Sequence, residues 1–247
     1  RNQLREKRVG HMLETVPFPT GTVEVTLDGA GIPSYEIRQG VAWDNIPFTP
    51  QIEELARHTR AACFGSLAQR SPVSHRTIGR FLETMPDGEG QYKVFDINLR
   101  QHFYTQQVVE ESLRKCNILK INDEELAVVG GMFGMEGMQP GEQCRTLLDR
   151  YGLRIVILTC GAAGSSVFAP DTRSYLPTPR VEVADTVGAG DSFTASFLAA
   201  LLSGLGIGEA HRLAVDVAAH ACSPHGAMPR LPERFTARLR NDGPAIR

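Results

Sequence analysis

Short apolar runs alternate with amphipathic segments along most of the chain, and this alternation constrains the fold more than any other feature. The apolar runs suit strands that are buried on both faces, and they lie at residues 61–65, 93–97, 118–121 and 154–159. Helical patterns lie at 50–58, 72–85, 106–115, 141–151, about 190–203 and 208–221. Repeated strand–helix units predict an α/β fold with a doubly wound, mostly parallel sheet that is flanked by helices.

Two β-hairpins are predicted outside this alternation. Residues 22–27 are rich in β-branched side chains, 34–38 form a second short strand, and Asp-Gly-Ala-Gly at 28–31 supplies the turn. A smaller hairpin-like region follows residue 159. The one plausible boundary lies at about 41–48, between the first hairpin and the α/β pattern. We therefore expect two units, residues 1–48 and 49–247.

Composition excludes several classes of protein. The formal net charge is −2 with acids and bases interspersed, so we expect neither a nucleic-acid arm nor a membrane-binding basic patch. No apolar run reaches the roughly 18 residues that a membrane span needs, and the polar residues 1–8 do not resemble a signal peptide. The five cysteines are widely spaced and contain no CxxC. A disulfide framework and a zinc site are therefore disfavoured, and a cytoplasmic location is expected.

The sequence DTVGAGDSF at 185–193 carries the most informative chemistry. Apolar residues at helical spacing follow it, so a helix should begin near Gly190. Gly188 and Gly190 let a ligand approach unpaired N–H groups at the positive end of this helix, which makes an anion site. Asp191 stands in the first turn, where it can accept a proton from a hydroxyl that attacks a phosphoryl group. Read without further context, an Asp that only caps the helix fits equally well.

DTVGAGDSF matches every fixed position of D-T-x-G-A-G-D-x-F, and on this motif the chain resembles the ribokinase-like (PfkB family) carbohydrate kinases. The resemblance extends over nearly the whole chain. It implies a ribokinase-like fold with a small β lid and the ATP-dependent phosphorylation of a small sugar. It also implies that Asp191 is the catalytic base and that the backbone of Gly188, Ala189 and Gly190 is the anion hole. Asp185 would order this loop.

Three further motifs match the family. Asn122 and Glu125 fit N-x-x-E, which the resemblance links to phosphate and Mg²⁺ placement, and Lys120 resembles a lysine that reaches the ATP phosphates. Read alone, these residues are helix-dipole partners and a solvated lysine. The second motif is T-x-G-x-x-G, at Thr159, Gly161 and Gly164, which the resemblance places beside the nucleotide. The third is D-x-N-x-R, which the resemblance places near the sugar, and there Asn98 and Arg100 are favoured over Asp96. A plain glycine-rich turn and a polar strand end are the alternatives.

The remaining expectations concern the lid, the walls of the site and the substrate. By resemblance, the first hairpin closes over the sugar, residues 218–226 wall the adenine, and a homodimer through the lid and a monovalent cation site are possible. Trp43 and Asp44 are candidates for sugar contact, and a Trp packed under the lid is the alternative. Overall similarity favours fructose. The alternatives are a nucleoside or 2-keto-3-deoxygluconate kinase, or a non-catalytic relative that binds sugar or nucleotide.

The chain also departs from the family at its start. It has no initial strand followed by a Gly-Gly-x-x-x-Asn segment, which in relatives grips the sugar hydroxyls. Its first residue is not Met, and residues 4–10 read as the end of a helix. We therefore expect that on the order of one βαβ unit, a few tens of residues, is absent from this sequence.

Overall fold

A six-stranded sheet forms the centre of the protein in the computed structural model, which describes residues 2–27, 33–226 and 228–239. A separate two-stranded sheet precedes it. In chain order, the strands are β1 (Val23–Leu27), β2 (Pro33–Ile37), β3 (Ala61–Phe64), β4 (Tyr92–Asp96), β5 (Ile118–Asn122), β6 (Ile155–Thr159), β7 (Ser165–Ala169) and β8 (Thr172–Leu176). The helices are α1 (Asn2–Glu6), α2 (Pro50–His58), α3 (Pro72–Thr84), α4 (Gln106–Lys115), α5 (Asp123–Met132), α6 (Pro140–Tyr151), α7 (Ala189–Leu202), α8 (Ile207–Ala221) and α9 (Glu233–Ala237).

The large sheet runs in the order β3-β4-β5-β6-β7-β8. The first three pairings are parallel and the last two are antiparallel, so the sheet is mixed and mostly parallel, as predicted. Because β3 to β6 are parallel, their carboxyl ends meet at one edge of the sheet. This edge is where open α/β sheets bind ligands, and it brings together three of the predicted motifs.

Helices cover both faces of the sheet. On one face, α4, α5 and α6 pack through Leu113, Leu126 and Leu147 against alternate strand residues such as Phe95 and Leu119. On the other face, α7 and α8 pack against the intervening strand residues. Period-two alternation therefore sends neighbouring residues of one strand into two different cores. The predicted doubly wound α/β class is confirmed.

Most predicted elements agree with the structure to within two or three residues. The small hairpin after residue 159 is formed by β7 and β8. A long loop then connects β8, the edge strand of the sheet, to α7. The sequence indicated the start of α5 but not its length, because Gly130 and Gly131 interrupt its helical pattern. The predicted turn at 28–31 lies outside the described residues. Among the described helices, none combines the length and the apolar character that crossing a membrane requires.

The first hairpin is antiparallel, with Val23 opposite Ile37. The chain that leaves it is fixed to the α/β body by a buried ion pair, in which Arg70 Nε lies 2.8 Å from Asp44 Oδ1. The Arg70 guanidinium also lies 4.0 Å from the centre of the Trp43 ring. Gly21 lies so close to this indole that a Cβ there would be 2.1 Å from Trp43 Nε1. The segment that follows the hairpin is thus held in place at Trp43 and Asp44. The division of the chain into two units at residue 48 stays a prediction.

A fully buried histidine joins α8 to the β7–β8 hairpin. His211 is 0% exposed, and its two ring nitrogens lie 2.8 Å from Ser165 Oγ and 2.8 Å from Ser174 Oγ. Burial lowers the pKa of His211 to about 4, and the charge of Arg212 adds to this effect. The neutral imidazole therefore belongs to the folded protein.

Acid should weaken the fold through this residue. Because the folded pKa of His211 lies below its ordinary value of 6.5, the unfolded chain takes up the proton first. The contribution of the neutral His211 imidazole to the stability of the fold is complete above pH 6.5 and is lost as the pH falls towards 4. We expect urea unfolding to give a free energy about 2 kcal/mol lower at pH 5 than at pH 7 from this group alone. The His211→Gln variant should show a flatter profile than the exposed control His58→Gln, and equal slopes would contradict the expectation.

Candidate active site

The start of α7 forms the centre of the candidate site. Gly188 is the N-cap residue and adopts a left-handed conformation with φ 82°, which a residue with a Cβ enters only at a cost. The first helical hydrogen bond runs from Ser192 N–H to the Gly188 carbonyl at 2.8 Å. The helix therefore begins at Ala189, within one residue of its predicted start.

The amides of this turn are available for an anion. Within the described residues, the N–H groups of Gly188, Gly190 and Asp191 have no acceptor. The Ala189 N–H differs, since it donates a long hydrogen bond of 3.3 Å to the Thr186 carbonyl. Free amides at a helix start attract negative charge. Gly188 and Gly190 thus have the geometry expected of an anion hole, and Ala189 has it only in part.

Asp191 is exposed at the mouth of this turn. Its carboxylate accepts no hydrogen bond from the part of the chain that the structure describes, which is not what a capping role requires. Gly190 is exposed beside it. The carboxylate and the free amides therefore lie on one accessible helical turn, where a ligand can reach both.

Asp185 orders the loop that precedes this turn. Its Oδ1 accepts from the Val187 N–H at 2.9 Å, and its Oδ2 accepts from the Gly226 N–H at 3.2 Å. These two N–H groups hold the pKa of Asp185 below its ordinary value. The amide of Asp185 donates in turn to the Cys222 carbonyl. The anion loop is thereby joined to the segment at 218–226, which the sequence predicted to wall an adenine.

A buried ion pair lies directly beneath Gly190. Lys120 Nζ is 3.0 Å from Asp96 Oδ1, and the Thr194 hydroxyl donates to Asp96 Oδ2 at 2.9 Å. A Cβ on Gly190 would lie 3.2 Å from Lys120 Nζ, so the ammonium group supports the glycine turn closely. Lys120 is only 8% exposed, and its interpretation as a solvated lysine is wrong. Asp96, which the sequence ranked below Asn98 and Arg100, holds this group together.

Glu125 connects two of the predicted motifs. Asn122 caps α5, with its Oδ1 accepting from the Glu125 N–H at 2.8 Å, and Glu125 Oε2 accepts from the Asn122 N–H at 3.0 Å. The other carboxylate oxygen, Oε1, accepts from the Leu99 N–H at 3.0 Å. Glu125 is 6% exposed. Both of its oxygens are therefore engaged by backbone donors.

The D-x-N-x-R loop borders a cavity of about 300 Å³. Asn98 contributes to its wall together with Trp43 and Gly65, so the structure brings Trp43 and Asn98 together as candidates for sugar contact. Arg100 is exposed, and its guanidinium donates to the adjacent Leu99 carbonyl. Asp44 does not reach the cavity as a free carboxylate, because it is buried against Arg70. The expectation that Asp44 contacts the sugar is not met for this reason.

The T-x-G-x-x-G residues occupy different environments. Thr159 ends β6 directly opposite Asn122 of β5, and Gly161 is exposed after it with φ 50°. Gly164 is buried, and a Cβ there would lie 2.6 Å from the Leu176 carbonyl oxygen. Thr159 and Gly161 are thus placed at the carboxyl edge beside Asn122. Gly164 has a packing reason to be glycine, and its role in nucleotide binding stays a prediction.

Sequence reasoning missed two neighbours of the site. Thr194 is a polar residue on an otherwise apolar helix face, one turn after Gly190, and that position was a usable signal. Cys63 lies on β3, and desolvation of its thiol raises its pKa to about 11, with the negative charges of Asp96 and Asp191 adding to the shift. The exposed Cys63 thiol is therefore near enough to Asp96 and Asp191 for their charges to affect its pKa. Nothing in the spacing of the cysteines indicated this.

Comparison with known proteins gives the family of the chain. A family profile described as "pfkB family carbohydrate kinase" matches residues 73–234. The chain belongs to the pfkB family of carbohydrate kinases, which confirms the predicted resemblance.

Individual relatives agree with this membership. A fructokinase from Rhizobium leguminosarum bv. trifolii is 30% identical over 160 residues, covering 62% of this chain and 46% of the relative. A nucleoside kinase from Methanothermobacter thermautotrophicus is 27% identical over 207 residues, covering 79% and 61%. The chain therefore spans less than two thirds of these curated relatives. The structure of a fructokinase with bound ATP from Xylella fastidiosa superposes with a TM-score of 0.78 at 18% identity, covering 97% of this chain and 80% of that one. This likeness shows a ribokinase-like fold.

Proposed function

We propose that the protein phosphorylates a hydroxyl of a small sugar with ATP, and that fructose is the expected acceptor. The observation that carries the proposal is the arrangement at the start of α7. An exposed, unengaged carboxylate on Asp191 stands beside the free amides of Gly188 and Gly190. A base and an anion site on one helical turn are the two groups that phosphoryl transfer from a nucleotide to an alcohol needs.

In this proposal, Asp191 takes the proton of the acceptor hydroxyl as its oxygen attacks the terminal phosphorus. The new oxygen–phosphorus bond forms while the bond to ADP breaks, and the proton remains on the carboxylate. The amides of Gly188 and Gly190 donate to the phosphate oxygens, on which charge accumulates during transfer. The Ala189 amide contributes less, since it already donates to Thr186.

The nucleotide is expected along the carboxyl edge, next to this turn. Lys120 supplies positive charge under Gly190, with its ammonium partly neutralised by Asp96. Asn122 and Thr159 lie side by side on neighbouring strands, and Gly161 leaves its backbone open beside them. The proposed nucleotide contacts are these residues together with Gly164 and with Asp185, which fixes the anion loop.

Mg²⁺ is proposed to arrive with the nucleotide. Within the described residues, no group of three or more His, Cys, Asp or Glu side chains is arranged to hold a metal. Glu125 fits a role through a metal-bound water, because both of its oxygens already accept backbone N–H groups. Mg²⁺ ordinarily retains several waters and few protein ligands. When bound, the ion would neutralise charge on the phosphates.

Four finer points remain part of the proposal. The hairpin β1–β2 is proposed as a lid that closes over the sugar and excludes water, because water could otherwise accept the phosphate. A homodimer through this hairpin and a cytoplasmic location are proposed with it. A monovalent cation is proposed near Asp185, where the loop at 185–188 meets the segment that follows α8.

A substrate panel tests the acceptor. Purified protein would be assayed for ADP release with ATP, Mg²⁺ and one of fructose, ribose, 2-keto-3-deoxygluconate or adenosine. Turnover above the acceptor-free rate should be highest with fructose. The similarity to the nucleoside kinase makes adenosine a competing acceptor. Highest turnover with adenosine would replace the proposed acceptor, and ADP release that no acceptor increases would favour a non-catalytic relative.

A further inference from the structure

Glu125 makes one contact that its position at the start of α5 does not require. A capping box needs a single side-chain oxygen at the third helical position, which accepts from the N-cap amide. Glu125 Oε2 does this with Asn122. Its second oxygen, Oε1, reaches 3.0 Å to the Leu99 amide, 26 residues earlier in the chain. This second hydrogen bond joins the end of β4 to the start of α5.

The loop that receives this hydrogen bond has an unusual backbone. Asn98 adopts φ 45° and Gln101 adopts φ 49°, a left-handed conformation that costs most residues about 1 kcal/mol or more. Such backbone persists only where its surroundings hold it. Leu99 lies between Asn98 and Arg100, the two residues that the sequence predicted to contact the acceptor. Its amide is therefore a point from which both can be positioned.

The other end of the loop is held separately. The Ser66 hydroxyl donates to the Ile97 carbonyl at 2.7 Å, and the Ser66 amide donates to the same oxygen at 3.2 Å. Ile97 is thus fixed by Ser66, which follows β3, and Leu99 is fixed by Glu125 of α5. Asn98 lies between these two points, in the wall of the cavity with Trp43 and Gly65.

We propose that Glu125 is a positioning residue for the acceptor, which fixes the 97–101 loop through Leu99 and so holds Asn98 in the wall of the cavity. The expected change in acceptor KM rests on the proposed function, whereas the fixing of the 97–101 loop rests on the contacts alone. Glu125 thereby gains a role toward the acceptor in addition to any role toward Mg²⁺. An ionised carboxylate suits this role, since it accepts on both oxygens at once.

The test uses Glu125→Gln in the full chain, with Glu124→Gln as the matched control. Glutamine has the same shape but only one acceptor oxygen, so it cannot receive the amides of both Leu99 and Asn122. Glu124 is the exposed neighbour in the same turn, and its variant loses the same charge without a loop contact. At saturating Mg²⁺, we expect Glu125→Gln to raise KM for the acceptor roughly 10-fold or more, with KM for ATP changed less than about 3-fold.

Two kinetic results would overturn the inference. One is an unchanged acceptor KM in Glu125→Gln. The other is a defect that disappears entirely as Mg²⁺ is raised, which would restrict Glu125 to the metal. Glu124→Gln should behave as the unaltered protein does, so a similar acceptor defect there would assign the effect to charge rather than to the contact.

Amide hydrogen exchange separates this inference from the proposed function, because it requires no turnover. In the unaltered protein, the Leu99 amide should exchange at least about 10-fold more slowly than that of Arg100, and this protection should persist in Glu124→Gln. It should be lost in Glu125→Gln. If every acceptor fails but the exchange pattern holds, only the proposed function is refuted. If Leu99 exchanges as fast as Arg100 in the unaltered protein, the positioning role is refuted, even where Glu125→Gln does not fold.

Discussion

Replacing Asp191 with Asn is expected to lower turnover by about 10³-fold while ATP binding persists. Asparagine keeps the size of the side chain, but its amide cannot accept the proton of an attacking hydroxyl. Asp191 is exposed and unengaged within the described residues, so the change should not disturb the fold. The loss should therefore appear in kcat.

The measurement is ADP release under saturating substrates, together with calorimetric titration of ATP into each protein. Glu209→Gln is the control, because Glu209 is an exposed acid in the first turn of the neighbouring helix α8. That variant should retain turnover within about 2-fold, since only a small helix-dipole contribution is lost. Retained turnover in Asp191→Asn would remove the assignment of the base. Loss of ATP affinity without loss of kcat would give Asp191 a binding role instead.

Removing one member of the buried ion pair should give the largest effect on stability. Lys120→Met leaves the Asp96 carboxylate buried without its cation, and breaking such a pair typically costs about 3–5 kcal/mol. Within the described residues, the Asp96 carboxylate would then keep the hydrogen bond that the Thr194 hydroxyl donates to its other oxygen. We expect the midpoint of urea unfolding to fall accordingly, and the double variant Lys120→Met/Asp96→Asn should recover part of the loss.

A second lysine–aspartate pair provides the control. Lys93 is buried and bonds Asp87 at 2.8 Å, but the side chain of Asp87 is 83% exposed. Solvent screens such a pair, so Asp87→Asn should cost less than about 1 kcal/mol. An equal loss of stability in Lys120→Met and Asp87→Asn would show that the pair under Gly190 has no special weight.

The architecture was predictable because its signals are local. The buried strands β4, β5 and β6 are short, mostly apolar runs, and the glycines at 188 and 190 mark a helix start whatever surrounds them. Asn122 and Glu125 are likewise close in sequence, and the structure joins them in a capping box that was not predicted from the sequence. Local patterns also carried the family resemblance, since DTVGAGDSF is contiguous.

The cross-strand contacts were not predictable, because they depend on register and on which face a side chain takes. Asp96 and Lys120 lie opposite each other only once β4 and β5 are aligned, and a shift of one residue would send them to different faces. The sequence therefore ranked Asp96 below Asn98 and Arg100. The serine partners of His211 were not predictable for the same reason, because Ser165 and Ser174 lie on strands well before α8 in the chain.

The free amides of Gly188 and Gly190 have a consequence for how the start of α7 tolerates changes of sequence. Main-chain N–H donors do not depend on the side chain, except that proline removes its own N–H. A side-chain exchange at Ala189 therefore leaves the amides of Gly188 and Gly190 in place, and a change of pH does not titrate them. Damaging variants should therefore concentrate where the main chain would have to move, as at Gly188 with its left-handed φ of 82°. Ala189 on the same turn should tolerate side-chain exchange, whereas Gly190 is constrained by Lys120 Nζ, which would lie 3.2 Å from a Cβ there.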